Sequence, residues 1–173
     1  MALSPPIEQT PDEVRTLLSP LRNRFSIAVY CAGNTFAVGA IIRVAHSFLA
    51  KEILLIGEDT YYSKASMAME KYECIHTFKD NNSFLSHIAT RPLWAIEKDI
   101  ADCSLPTIAT FPDDVVFLFG SERFGLSPEI LEHCSQRVGI PMYGINHSFP
   151  LAVAAGIVLY AWSTRHYTHG AIV

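Results

Sequence analysis

Arg43 is the first residue whose type and position could do chemistry. It interrupts an apolar run with helical spacing, lies off the stripe formed by residues 38, 41, 42, 45 and 49, and follows Gly39 by one turn. An arginine placed there can bind a phosphate or stabilise developing negative charge. It can also be a solvated residue on a helix surface, and the spacing alone does not separate these two interpretations.

Glu122 lies in a second segment that could do chemistry, Gly-Ser-Glu-Arg-Phe-Gly at 120–125. Its carboxylate could orient Arg43, or it could cap backbone donors in a turn between two glycines. The segment is not a P-loop, because no Lys-Ser/Thr pair follows a second glycine. Neither G-x-G-x-x-G after the first strand nor G-x-S-x-G is present. Nucleotide hydrolysis, Rossmann-type dinucleotide binding and acyl transfer from a serine are therefore poor explanations.

A third segment, 140–160, combines a turn with the start of a helix. Gly144 can turn the chain, Ser148 can cap the free backbone donors, and Pro150 suits the first helical turn. Apolar residues then recur with helical spacing at 151, 154, 155, 158, 159 and 162. The small residues 152–156 would let backbone or a ligand approach closely, although a tightly packed core helix also explains them.

These segments connect apolar runs that predict alternating strands and helices. Strands are predicted at 26–31, 52–56, 75–78, 93–96, 115–119 and 137–140, and helices at 11–18, 38–49, 63–72, 82–90, 127–133 and from 151. Residues 98–112 show no regular pattern. The alternation is typical of an α/β fold with a mostly parallel sheet and helices on both faces. Ligands bind such sheets beyond the carboxyl ends of the strands, where the segments beginning at 33, 120 and 140 would lie.

Length and composition indicate a single domain over residues 1–173, with a short helical extension at about 1–24. Half of the 173 residues are apolar and 17% are charged, which suits a domain with a substantial core. Thr10-Pro11-Asp12-Glu13 has the pattern of a helix capping box. No apolar run reaches the roughly 20 residues of a membrane helix, and the start of the chain lacks the pattern of a secretory signal. We therefore expect a cytoplasmic protein without membrane association.

Cysteine spacing and net charge narrow the possible partners. The four cysteines are widely spaced and form no metal-ligand pattern with the seven histidines, so we expect buried thiols and no metal. The formal net charge of −4 provides no overall attraction to nucleic acid. An RNA partner would have to contact a local basic patch.

Three segments, in this order, resemble the SpoU (TrmH-type) branch of the SPOUT RNA methyltransferases. Residues 34–43, Asn-Thr-Phe-Ala-Val-Gly-Ala-Ile-Ile-Arg, resemble the family motif N-P-x-N-x-G-A-I-x-R. Residues 118–126 contain the G-x-E-x-x-G-L core of the second motif. Residues 140–160 resemble the third, I-P-M-x-G followed by S-L-N-V-S-V-A and a later I and L-Y. Each motif alone is weak, whereas the ordered set is specific and covers most of the chain.

The resemblance implies a C-terminal trefoil knot, a homodimer and S-adenosylmethionine bound by the loops of the knot. It assigns cofactor binding to Ile96, Gly120, Ile140, Met142, Ser148 and Phe149. The implied reaction transfers a methyl group to a ribose 2′-hydroxyl of tRNA or rRNA. Arg43 is the implied central catalytic residue, with Glu122 as a second catalytic residue and Asn34 at the substrate. Arg43 would lower the barrier to deprotonating the hydroxyl and would hold the adjoining phosphate.

Three positions depart from the family pattern. Ala37 stands where the first motif has its second asparagine, and Pro150 and Ala152 replace polar residues of the third motif. In the family these polar side chains lie around the catalytic arginine. Their absence leaves a second hypothesis open, in which the chain is a catalytically weakened paralogue that acts as an RNA- or protein-binding module.

Overall fold

Strands and helices alternate through residues 9–58 and 60–167, the part of the chain that this computed structural model describes. The α-helices are α1 (Pro11–Leu18), α2 (Thr35–Ser47), α3 (Ser63–Ser66), α4 (Asn81–Ile88), α5 (Pro128–Glu132) and α6 (Leu151–His166). The strands are β1 (Phe25–Tyr30), β2 (Ile53–Ile56), β3 (Ile75–Phe78), β4 (Leu93–Ile96), β5 (Cys103–Ser104), β6 (Val115–Phe119) and β7 (Gln136–Gly139). Short 3₁₀ turns occur at Ser19–Leu21, Met69–Lys71 and Leu105–Thr107.

The strands form one sheet in the order β3-β2-β1-β6-β4-β7-β5, in which every pairing is parallel. At its centre, Ala28 of β1 pairs with Leu54 on one side and Leu118 on the other. The predicted α/β fold with a parallel sheet is confirmed. β7 lies between β4 and β5, which both precede it in the chain, so it is inserted between two strands that residues 97–102 connect. A trefoil knot requires such an insertion, and the knot itself stays a prediction.

Helices cover both faces of the sheet, as the sequence predicted. On one face α2 and α6 pack against a cluster that includes Phe25 and Phe117. On the other face α4 and α5 pack against a cluster that includes Leu54 and Leu118. All five side chains of β6 are buried, and burial of each large apolar side chain stabilises the fold by about 1.5–3 kcal/mol. β6 is therefore a firm base for the loop that follows Phe119.

The helix predicted at 63–72 is wrong in its extent. It is broken at Met67 and Ala68, whose backbones are left-handed with φ of 53° and 65°. An α-helix cannot continue through such residues, so α3 ends and a separate 3₁₀ turn follows. α3 packs so closely on α2 that a Cβ at Gly39 would lie 2.4 Å from the carbonyl oxygen of Tyr62.

Residues 98–112, predicted to be irregular, contain β5 and a 3₁₀ turn. β5 pairs with β7 through Cys103 and Val138. Arg165 of α6 donates hydrogen bonds to the carbonyl oxygens of Ile108, at 2.6 Å, and Leu105, at 3.4 Å. The last helix therefore fixes this turn. A strand of two residues is too short to produce a sequence pattern.

The N-terminal helix confirms the predicted capping box. Glu13 N donates to Thr10 Oγ1 at 3.4 Å, and Thr10 N donates to Glu13 Oε2 at 2.7 Å. Residues 1–8 of the predicted extension lie outside the described residues, and the extent of the domain stays a prediction. Within the described ranges, no helix is both long and apolar enough to cross a membrane.

The cysteines, all within the described residues, form no disulfide. Cys31 is buried and Cys134 is half-buried, and burial raises the pKa of the Cys134 thiol to about 11. Cys74 is exposed, so the expectation that every thiol is buried is wrong. Cys74 immediately precedes β3, the strand at the edge of the sheet, where fewer elements cover the chain.

Candidate functional site

A cleft of about 530 Å³ opens at the carboxyl ends of β4, β6 and β7. This volume lies within the roughly 300–1,000 Å³ typical of small-molecule sites. The six residues to which the resemblance assigns cofactor binding all line the cleft: Ile96, Gly120, Ile140, Met142, Ser148 and Phe149. Parallel strands bring their carboxyl ends to one edge, which is why residues from three distant segments meet there.

The loop 120–125 is closed on itself and leaves no space at its first residue. Ser121 N donates to the carbonyl oxygen of Gly125 at 3.2 Å, and Gly125 N donates to that of Ser121 at 2.9 Å. A Cβ at Gly120 would lie 2.5 Å from the carbonyl carbon of Gly125. Only glycine lets the two backbone segments approach this closely. The loop therefore presents backbone to the cleft.

Glu122 connects the first and third motif segments. Asn34 Nδ2 donates a hydrogen bond to Glu122 Oε2, and the backbone N–H of Leu151 donates to Glu122 Oε1 at 3.2 Å. A carboxylate at this position also interacts favourably with the positive end of the α6 dipole. Glu122 therefore caps α6, and the interpretation in which it caps backbone donors of its own loop is wrong. The carboxylate oxygens of Glu122 do not contact Arg43.

The start of α6 corrects two details of the sequence analysis. Ser148 was expected to cap the helix, but the capping position is occupied by Pro150, and no side chain at that position accepts a hydrogen bond. Pro150 therefore precedes the first turn instead of lying in it. Glu122 supplies the missing acceptor from a loop that is distant in sequence.

Asn34 uses both ends of its side-chain amide. Its Oδ1 accepts a hydrogen bond from the backbone N–H of Ala37 at 2.9 Å and so caps α2. Its Nδ2 donates to Glu122. Ala37 is 6% exposed, so the position of the family's second asparagine is enclosed by the fold in this chain. Asn34 thereby fixes the start of α2 against the loop 120–125.

Arg43 lies apart from this arrangement. It is on the exposed side of α2 and does not line the cleft of its own chain. Its guanidinium makes no hydrogen bond or ion pair to any residue between 9 and 58 or between 60 and 167. The structure therefore brings Asn34 and Glu122 together and leaves Arg43 separate from both.

Three cleft residues escaped the sequence analysis. Glu97, Lys98 and Asp99 line the cleft directly after Ile96. Lys98 Nζ donates to the carbonyl oxygen of His147 at 3.1 Å and so joins two walls of the cleft. Their position just beyond a predicted buried strand was a signal that could have found them.

The loops that form the cleft also expose large side chains. Phe124 is 70% exposed, and the guanidinium carbon of Arg123 lies 5.2 Å from the centre of its ring. Tyr143 is 96% exposed, one residue after Met142. Exposed aromatic rings and an arginine can stack on nucleic-acid bases. No sequence pattern predicted a role for either aromatic residue.

A parallel α/β sheet with a cleft of glycine-rich loops at its carboxyl edge defines a class of α/β domain with space for a small ligand beside backbone groups. The chain belongs to the SpoU rRNA Methylase family, whose sequence model matches residues 25–160. This range extends from the start of β1 into α6 and contains all three motif segments.

Two curated relatives illustrate the similarity in sequence. The chain is 27% identical over 127 residues to the 23S rRNA (guanosine-2′-O-)-methyltransferase RlmB of Neisseria meningitidis serogroup B. The aligned region covers 70% of this chain and 51% of that protein. It is 47% identical over 45 residues to the tRNA (guanosine(18)-2′-O)-methyltransferase of Aquifex aeolicus, covering 26% of this chain and 21% of that protein. The chain thus spans about half, or less, of the length of these relatives.

Solved structures show the same fold. The TrmH/SpoU tRNA modifying enzyme of A. aeolicus superposes with a TM-score of 0.77 at 19% identity, over 94% of this chain and 88% of that one. The AdoMet-bound rRNA methyltransferase of Sinorhizobium meliloti superposes with a TM-score of 0.72 at 26% identity, over 88% of this chain and 60% of that one.

Proposed function

We propose that the protein transfers a methyl group from S-adenosylmethionine to a ribose 2′-hydroxyl of tRNA or rRNA. The observation that carries this proposal is the convergence of the motif segments on one cleft, in a member of the SpoU rRNA Methylase family. The relatives described above are named as guanosine 2′-O-methyltransferases of tRNA and 23S rRNA. The weakened-paralogue alternative is not favoured, because the chain belongs to this family and its relatives are named as active methyltransferases.

The cleft suits S-adenosylmethionine in size and in the groups that it offers. When bound, this cofactor supplies an electrophilic methyl group on a positively charged sulfur. Ile96 and Ile140 provide apolar walls for a flat ring, and the carboxylates of Glu97 and Asp99 suit hydroxyl or ammonium groups. Gly120 lets the ligand approach the backbone. The S. meliloti neighbour is described with AdoMet bound, which also supports this choice.

Arg43 is the proposed catalytic residue. Its guanidinium is always charged and has five N–H donors, so it can hold a phosphate and stabilise the oxygen as the 2′-hydroxyl loses its proton. In the described part of the chain these donors have no protein partner, which leaves them available to a substrate. Asn34 and Glu122 are proposed to fix the adjoining edge of the site. No step of this reaction needs a metal.

We also propose that two copies associate through α2 and α6, which pack side by side in one chain. Large apolar side chains are exposed on both helices: Phe36 at 62%, Val153 at 46% and Tyr160 at 65%. Exposed apolar surface of this kind is typical of an interface. Because Arg43 is on the exposed side of α2, association would place it at the boundary between two copies. Sedimentation at micromolar concentration should give twice the mass of one chain, and a monomer would contradict the proposal.

The RNA would approach the exposed edge of the cleft. Phe124, Tyr143 and Arg123 are the proposed stacking and cationic contacts there, since the net charge of −4 gives no general attraction to RNA. We place the reaction in the cytoplasm, where tRNA and rRNA are accessible, and the absence of disulfides among the cysteines agrees with a reducing compartment.

The test is methyl transfer from labelled S-adenosylmethionine to RNA from cells that lack the gene, followed by nucleoside mass spectrometry. The wild type should produce one 2′-O-methyl nucleoside. Arg43→Ala should reduce turnover by about 10²–10³-fold, as expected for loss of one preorganised charged group, with nearly unchanged cofactor affinity. Arg24→Ala is the matched control, because Arg24 is a 72% exposed arginine that pairs with Asp113 away from the cleft and should retain full activity.

Two outcomes would contradict the proposal. Transfer by Arg43→Ala at the wild-type rate would remove Arg43 from catalysis. Cofactor binding without transfer to any cellular RNA would favour the weakened paralogue, and Ala37→Asn and Pro150→Asn would then be the first changes to try.

A further inference from the structure

Three side chains with no role at the cleft meet towards the opposite, amino end of the sheet. Glu52 immediately precedes β2, His76 lies in β3, and His87 lies in α4. Glu52 Oε2 is 3.1 Å from His87 Nε2 and 3.4 Å from His76 Nε2. One ligand-type atom from each residue lies within 4.8 Å of the other two. We call these three residues the amino-end triad.

These separations match the edges of a metal coordination shell. Zinc binds imidazole nitrogen and carboxylate oxygen at about 2.0–2.2 Å, which puts two ligand atoms about 3.4 Å apart at a tetrahedral angle. The two distances from Glu52 Oε2 are close to that value. Two histidines and one carboxylate are also a ligand set that zinc and related ions accept. An ion could therefore enter with small side-chain adjustments.

Glu52 is oriented by groups outside the triad. Arg91 Nη1 and Ser26 Oγ both donate to its Oε1, the latter at 3.1 Å, which turns Oε2 towards the histidines. Burial would raise the pKa of Glu52, but hydrogen bonds from His87 and Arg91 outweigh it and lower that pKa. The positive charge of Arg91 is shared with Asp114, whose Oδ1 lies 3.1 Å from Arg91 Nη2. Side chains that hydrogen-bond to the ligand residues in this way fix ligand geometry in metal sites.

Solvent reaches the triad from the histidine side. The side chains of His76 and His87 are 40% and 32% exposed, whereas that of Glu52 is 9% exposed. Cys74 Sγ lies 3.2 Å from His76 Nε2 but outside the compact group of three. The buried carboxylate thus forms the floor of a site that an ion can approach from solution.

We propose that Glu52, His76 and His87 bind one divalent transition-metal ion of the zinc class. The ion adds a link between helix α4 and the strands β2 and β3, which already pair along a parallel backbone ladder at one edge of the sheet. Because the triad is assembled only in the folded chain, metal binding stabilises the fold. The site is independent of the methyltransferase proposal.

The experiment is calorimetric titration of ZnSO₄ into untagged, EDTA-treated and dialysed protein, repeated with Co²⁺ and visible absorption spectroscopy. The wild type should bind one ion per chain, and its thermal midpoint should rise with added zinc. His76→Asn and His87→Gln should each weaken binding at least tenfold and remove the thermal shift. Both residues are partly exposed, so these variants are expected to fold, which circular dichroism checks.

Two controls make the result decisive. His133→Gln removes an exposed histidine beside Cys134, and Cys74→Ser removes the exposed thiol near the triad. Both should bind zinc within about twofold of the wild type. The proposal is overturned if the wild type takes up no stoichiometric zinc, if the triad variants bind as well as the wild type, or if only Cys74→Ser abolishes binding. In the first case the two histidines are hydrogen-bond partners of Glu52 and nothing more.

Discussion

The two ends of the sheet differ in how their polar groups are satisfied. At the carboxyl end, glycine-rich loops present backbone to a cleft, and the side chains of Glu122 and Lys98 connect the segments around it. At the amino end, buried charges bind one another: Glu73, with a fully buried side chain, accepts from Arg22 at 2.7 Å and contacts His46 at 2.7 Å. Charges that are satisfied within the protein stabilise the fold, whereas open backbone groups leave room for a ligand.

The amino end should therefore show the largest effect on stability. Glu73→Ala leaves the guanidinium of Arg22, whose side chain is 12% exposed, without its carboxylate partner. Breaking a buried ion pair typically costs about 3–5 kcal/mol, and we expect about 3 because Arg22 keeps its bonds to the carbonyl oxygens of Ala50 and Tyr72. Urea unfolding measures the change.

The control for this prediction is an exposed ion pair. Asp113→Ala removes the partner of Arg24, and the two side chains are 62% and 72% exposed. Exposed pairs contribute about 0–1 kcal/mol, so the two variants should differ clearly. Equal losses of stability would mean that the amino end does not depend on buried charge.

Substitutions at the carboxyl end of the sheet should affect ligand binding more than stability. A Cβ in Gly120→Ala would lie 2.5 Å from the backbone of Gly125, so the loop must shift. We expect the affinity for S-adenosylmethionine to fall at least tenfold, or about 1.4 kcal/mol, in calorimetric titration of folded protein. Gly156→Ala is the control: its Cβ would be 4.0 Å from Val44 Cγ1, and alanine in a helix stabilises by up to about 1 kcal/mol relative to glycine. Unchanged affinity in Gly120→Ala would separate this loop from the cofactor.

The sequence predicted best what depends on neighbours in the chain. The central strands were found because sheets covered on both faces need continuous apolar runs, as in Val115–Phe119. The capping box at Thr10 and Glu13 was found because its two partners are three residues apart. The location of the cleft followed from the shared direction of parallel strands, and the assignment of its residues came from the family resemblance.

The features that the sequence did not predict depend on contacts between distant parts of the chain. The break at Met67 and Ala68 has no local signal, because neither residue is glycine, the residue type that favours a left-handed backbone. The amino-end triad comes from β3, α4 and the residue before β2, so its ligand spacing exists only after folding. The acceptor for Leu151 comes from Glu122, whereas local rules favoured the nearby Ser148.

The smallest expected effect separates these two possible caps of α6. Glu122→Ala removes the acceptor for Leu151 N and the partner of Asn34 Nδ2, and loss of a helix cap typically costs about 0.5–2 kcal/mol. Because Glu122 is exposed and water can replace one bond, we expect about 1 kcal/mol in urea unfolding. Ser148→Ala should stay within about 0.5 kcal/mol, since Ser148 is exposed and does not cap the helix. A larger loss of stability in Ser148→Ala than in Glu122→Ala would restore the local capping rule and would leave Glu122 free for a role on the substrate alone.

If Glu122→Ala is the more destabilising of the two, Glu122→Gln should keep part of the stability, because its amide oxygen can still accept from Leu151. Its methyl-transfer rate would then show whether the charge of Glu122 has a function beyond the cap.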